Sequence, residues 1–72
     1  MGTTSWAEQS IREMVEEMRP EGGRLPSERE LVTRLGAGRT TIRLILLKLV
    51  AEGLVRSEHG RGHFVIPREN QV

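Results

Sequence analysis

The chain has 72 residues, 36% of them hydrophobic, with no cysteine and a formal net charge of +1. That length fits one small domain over residues 1–72 with a modest core. Disulfides and thiolate-zinc sites are excluded, and the longest unbroken apolar run, Leu44–Leu47, is far too short to cross a bilayer.

The small net charge hides an asymmetry. Residues 1–23 carry two arginines against five glutamates, a net −3, whereas residues 24–68 carry eight arginines and one lysine against four glutamates, a net +5. A basic region of this kind is the electrostatic footprint of a polyanion partner. The N-terminus lacks the basic start and long apolar run of a secretory signal, which together with the missing cysteines fits a cytoplasmic protein.

In chain order, Ser5 followed by Glu8 reads as a capping box that opens a helix over about Trp6–Arg19. Ile11, Met14, Val15 and Met18 form its apolar stripe, Glu13, Glu16 and Glu17 face water, and Trp6 is assigned to the core. Pro20-Glu21-Gly22-Gly23 turns the chain. Arg24-Leu25, held extended before Pro26, is a candidate third strand.

Residues 27–53 organise the rest. Ser27 and Glu30 form a second capping box, and Leu31, Val32 and Leu35 follow at helical spacing. Gly36 is the left-handed stop. Gly38 serves as the next N-cap, and Ile42, Ile45, Leu46 and Leu49 carry a further helix over about Arg39–Glu52, stopped by Gly53. Two helices joined by so short a glycine-containing break form a helix-turn-helix, with Ala37, Ile42 and Ile45 facing Leu31 and Leu35. Arg39, Thr40, Thr41 and Arg43 crowd the start of the second of these helices, where a recognition helix touches base edges. Arginine there forks onto guanine O6 and N7; threonine hydroxyls and free helix-start amides suit phosphate oxygens.

Beyond Gly53 the period changes to that of strands. Leu54–Ser57 and His63–Ile66 are β-prone runs around the turn Glu58-His59-Gly60-Arg61-Gly62, predicting a hairpin whose Leu54, Val55, Phe64 and Val65 cover the helices. Its tip presents His59 and Arg61, and the glycines, Gly60 among them, allow close backbone approach. Pro67 ends the second strand, leaving residues 68–72 as a polar tail after an ordered part of about 5–67. The predicted fold class is mainly α with a small β-hairpin: a winged helix-turn-helix of three helices plus a two- to three-stranded antiparallel wing.

The motifs Leu25-Pro-Ser-Glu-Arg-Glu-Leu31, Leu35-Gly, Arg39-Thr-Thr-Ile-Arg43, Ala51-Glu-Gly-Leu54 and Gly60-Arg-Gly-His-Phe-Val65, in this order and spacing, resemble the DNA-binding domain of the GntR family of bacterial transcription regulators. The resemblance covers about residues 11–66. It implies a winged helix that binds a palindromic operator as a homodimer, usually as a repressor in the bacterial cytoplasm. By the same resemblance, Arg29 contacts DNA, Arg39, Thr40, Thr41 and Arg43 contact bases and phosphates, and His59, Gly60 and Arg61 enter the minor groove. A larger C-terminal domain for effector binding and dimerisation is usual in the family; this chain stops after the wing.

The chain departs from the family pattern at Leu44, Leu47 and Val50, where Glu, a polar residue and Glu are usual. The alternative function is therefore a protein-interaction winged helix that uses the Leu44/Leu47 face, against a bland reading in which the leucines are singly exposed. An enzyme is not expected. Glu58, His59 and His63 straddle a turn rather than lining one helix face, and Gly36-Ala-Gly38-Arg-Thr-Thr lacks the Gly-Lys of a phosphate loop and any preceding strand. No metal and no cofactor are expected.

Overall fold

The computed structural model describes residues 3–68, with the side chains of residues 3–5 outside the description. Helix α1 spans Thr3–Met18, strand β1 Gly23–Arg24, helix α2 Glu28–Leu35, helix α3 Arg39–Ala51, strand β2 Val55–Glu58 and strand β3 Gly62–Val65. The strands form one antiparallel sheet in the order β1-β3-β2.

The core takes one face from every layer. Ala7, Ile11 and Val15 of α1, Leu31 of α2, and Ile42, Ile45, Leu46 and Leu49 of α3 meet Leu25, Ala37, Val55 and Val65. Each large side chain buried this way contributes roughly 1.5–3 kcal/mol of transfer free energy. Met14, Met18, Val32, Leu35, Val50 and Leu54 pack around its edge.

Two ion pairs join α1 to α3. Lys48 Nζ lies 3.1 Å from Glu8 Oε2, and Arg12 Nη2 lies 2.6 Å from Glu52 Oε2. The pairs run in the same order along both helices, so α1 and α3 lie side by side and parallel. Arg12 also donates its Nε to Glu8 at 2.9 Å. These contacts hold the Glu8 carboxyl below the ordinary carboxylate range, with Lys48 the larger cause and Arg12 the second. Arg12 lowers Glu52 in the same way.

The turn between α2 and α3 is built as its residues dictate. The Glu30 N–H donates to Ser27 Oγ and the Ser27 N–H donates to Glu30 Oε1, both at 3.1 Å; this reciprocal pair satisfies two amides that the helix leaves open. At the other end Gly36 takes φ +69° and its N–H donates to Val32 O at 2.9 Å. Glycine reaches that left-handed conformation without the Cβ penalty of other residues.

Several expectations need correction. The first helix begins at Thr3, so Ser5 lies inside it and is not its cap; any cap lies outside the described residues. Trp6 is exposed rather than in the core: counting around α1, it falls on a different side from Ala7, Ile11 and Val15. Phe64 does not cover the helices. Adjacent strand residues point to opposite faces, so with Val65 buried Phe64 must point outward. Strands β2 and β3 are displaced by one residue toward the tip, because Glu58 pairs with Gly62 and extends the ladder by one rung. Helix α3 ends at Ala51, one residue early, with Glu52 as its cap. The third strand does form, over Gly23–Arg24, and the Leu25 N–H continues it by donating to His63 O. Arg68, assigned to the tail, donates its N–H to Arg19 O at 2.9 Å and pairs with Glu16; residues 69–72 lie outside the described part.

Candidate nucleic-acid interface

Helix α3 starts with its amides open. Its N-cap, Gly38, is extended and supplies no side-chain hydrogen bond. The first N–H groups of a helix have no partner within it and carry partial positive charge. Arg39 and Thr40 are exposed beside them, and Thr41 is half-buried.

Arg43 is brought to the start of α2. Its Nε lies 3.0 Å from Glu28 Oε1, and its side chain is 59% exposed. Arg29, the next residue of α2, is exposed. The short turn thus brings Arg43 onto the Glu28 carboxylate, next in sequence to Arg29, although Arg43 lies fifteen residues further along the chain.

Pairing divides the cations of the molecule. Arg12, Arg19, Lys48 and Arg68 all meet glutamates along α1. Among the described residues, Arg24, Arg29, Arg34 and Arg39 make no ion pair with a glutamate. Apart from Arg24 on β1, the uncompensated charge therefore lies on α2 and at the start of α3, where the helix amides are open.

The wing tip is the three-residue turn His59-Gly60-Arg61, closed by the Arg61 N–H on Glu58 O at 3.0 Å. All three residues are exposed. Arg61 Nη1 lies 3.2 Å from Glu58 Oε1, so the tip cation also rests on a carboxylate.

Of the residues singled out in the sequence, Arg29, Arg39, Thr40 and Arg43 lie at the helix-turn-helix and His59, Gly60 and Arg61 at the wing tip, all exposed, with Thr41 set deeper. Sequence reasoning missed Glu28, which orients Arg43, because that pair spans a separation that only the folded turn closes. It also missed Arg24 and the outward Phe64. Strand alternation held that signal, since Phe64 and Val65 cannot both face inward. Among the described residues no cluster of histidines and glutamates forms a metal site, and no helix is long and apolar enough to cross a membrane.

Three helices, a sharp glycine turn and a basic-tipped antiparallel hairpin define a winged helix-turn-helix domain. Residues 3–65 match the bacterial regulatory proteins of the gntR family, and the chain belongs to that family. It is 40% identical over 63 residues to a helix-turn-helix-type transcriptional regulator of Mycobacterium tuberculosis, covering 88% of this chain and 23% of that protein. It is 41% identical over 56 residues to a putative L-lactate dehydrogenase operon regulatory protein of Escherichia coli, covering 76% and 22%. The chain thus spans about a quarter of the length of these relatives. Among solved structures, the DNA-binding domain of AraR in complex with operator ORR3 superposes with a TM-score of 0.79 at 29% identity, covering 90% of this chain and 80% of that one. The family is one of regulators, not of enzymes.

Proposed function

We propose that this chain is the DNA-reading part of a transcription repressor, with α3 in the major groove of a palindromic operator and the wing tip in the flanking minor groove. The observation that carries the reading is the uncompensated charge of Arg29 and Arg39 beside the open amides of α3. Arg39 and Arg43 would read base edges, Thr40, Thr41 and the helix-start amides would hold phosphates, and Arg29 would fix α2 on the backbone. His59, Gly60 and Arg61 would follow the minor groove.

A palindrome calls for two copies, with half-sites about one helical turn, ~34–36 Å, apart. In the complete protein a C-terminal domain would hold that dimer and bind a small effector; the greater length of the relatives supports this. The site of action would be the bacterial cytoplasm, at the nucleoid. Selection of bound duplexes from a random pool tests the reading: a palindromic winner is the expected result, and enrichment of no sequence overturns it.

The exposure of Leu44 and Leu47, 61% and 63%, favours a second reading, a protein-docking face on α3. With Thr40 and Ala51 they form one outward stripe at helical spacing, flanked by Arg43 and Lys48. Like charges along both edges oppose pairing with a second copy of the same helix, so an acid-edged partner fits better. Replacing both leucines by Glu and measuring DNA affinity separates the readings: unchanged affinity is expected of a docking face, and lost affinity removes it.

A further inference from the structure

The outer face of the sheet gathers arginines around one aromatic ring. Phe64 of β3 stands opposite Arg24 of β1 on one side and Arg56 of β2 on the other. The guanidinium carbons of Arg56 and Arg61 lie 5.4 and 5.6 Å from the ring centroid. Both arginines also reach Glu58: Arg56 Nε and Nη2 each lie 2.7 Å from Oε2, and Arg61 Nη1 lies 3.2 Å from Oε1. Arg24 passes over Gly62, where an added Cβ would come within 3.3 Å of its Nε. One carboxylate thus serves two cations, and one ring seats the same two.

Resting on the DNA reading above, we propose that Phe64 and Glu58 are positioning residues for Arg61, and that they make the wing selective for a narrow, A·T-rich minor groove. The Arg61 side chain is 72% exposed, so a duplex can reach it. Ring and carboxylate are each weak partners at such an exposed position. Together they choose one arrangement of a long side chain that would otherwise sample many, and leave it free to depart.

Glu58 sets the condition for departure. A phosphate on ordinary duplex offers Arg61 one negative charge in exchange for another. A narrow minor groove concentrates negative potential and attracts arginine more strongly than a single phosphate does. Only there does Arg61 gain by leaving Glu58, while Arg56 remains on the ring and inherits the carboxylate. The wing then adds affinity at the right groove shape and little elsewhere.

The test uses a duplex selected from a random pool by the wild-type chain, the same duplex with 2,6-diaminopurine replacing adenine beneath the wing, and a random duplex, across a salt series. Diaminopurine adds an amino group to the minor groove and leaves the major-groove pattern of adenine unchanged. Wild type should lose affinity on this substitution. Phe64→Leu should bind the selected duplex about two- to fivefold more weakly and ignore diaminopurine, and Phe64→Tyr should restore both properties. Glu58→Gln should bind the random duplex more tightly and steepen its salt dependence by about 0.9 in the log–log slope. Wild-type selectivity and diaminopurine sensitivity in both Phe64→Leu and Glu58→Gln overturn the inference; if Phe64→Leu does not fold, Glu58→Gln decides alone. Arg43→Ala separates the two levels. If it binds the selected duplex as wild type does, the DNA reading itself fails. If it loses binding while the wing variants behave as wild type, only the role of Phe64 and Glu58 fails.

Discussion

Glu28 Oε1 accepts from Arg43 Nε at 3.0 Å, so the first turn of α2 aims a side chain of α3. An exposed pair of this kind stabilises the fold by little, about 0–1 kcal/mol. Its effect is on direction, since it selects one orientation of a guanidinium that has five donors to offer.

Arg43→Ala should therefore cost roughly 1–3 kcal/mol on a selected operator and relax preference at one base pair, with little change on random DNA. Glu28→Gln should lower the ratio of operator to random affinity while leaving unfolding within about 0.5 kcal/mol of wild type. In the double variant the Glu28 effect should vanish. Titrations of the four proteins on both duplexes measure this, and equal losses on operator and random DNA contradict it.

The capping box makes a separate prediction. Ser27→Ala removes the acceptor for the Glu30 amide and should destabilise the domain by about 1 kcal/mol in chemical denaturation. Ser27→Asp keeps an acceptor and should recover most of it. A Ser27→Ala protein as stable as wild type would mean that tertiary packing alone holds the start of α2.

Gly36 is open to substitution in space but not in conformation. Nothing lies within 4 Å of an added Cβ, yet φ is +69°. Gly36→Ala should cost about 1–2 kcal/mol, and Gly36→Asn less, because asparagine tolerates the left-handed region. A neutral Gly36→Ala would show that the turn relaxes out of that conformation.

Acid should weaken the domain in a defined range. Glu8, Glu16, Glu30 and Glu52 are all held below the ordinary value of 4.5. The main causes are Lys48 for Glu8, Arg19 for Glu16, the Ser27 amide for Glu30 and Arg12 for Glu52. A carboxylate lowered on folding binds fewer protons in the native than in the unfolded state. Its stabilisation is complete above about pH 4.5 and is lost as pH falls from there through the folded values. Denaturation midpoints followed downward from pH 7 should stay level, then drop below about pH 4.5, and high salt should flatten the drop. Glu52→Gln should shrink it; a drop centred well above pH 5 would point to other groups.

The architecture was legible because its signals are local. Ser27 with Glu30, Gly36, and the spacing of Ile42, Ile45, Leu46 and Leu49 each specify backbone or face without reference to the rest of the chain, and all agree. Trp6 and Phe64 were misplaced for a common reason: large aromatic side chains were given to the core on hydrophobicity alone, although the periods of their own elements turn them outward. The exposed positions of Arg29, Arg39, Arg43 and Arg61 followed from the motifs. Their partners Glu28 and Glu58 did not follow as readily. Glu28 meets Arg43 across the helical turn, and a strand residue such as Glu58 reveals its service to Arg56 and Arg61 only once the hairpin register is known.

The parallel clamp of α1 on α3 reaches further than its modest energy. Lys48 of α3 and Glu52, its C-cap one turn on, are gripped by Glu8 and Arg12, one turn apart on α1. Two such anchors resist both sliding and spinning of α3 about its axis, so the azimuth of Arg39 and Thr40 is set at the opposite end of the rod from the one that would enter a groove. Charge reversals on the acidic helix, remote from any nucleotide, would then misdirect reading by rotation rather than by lost contact.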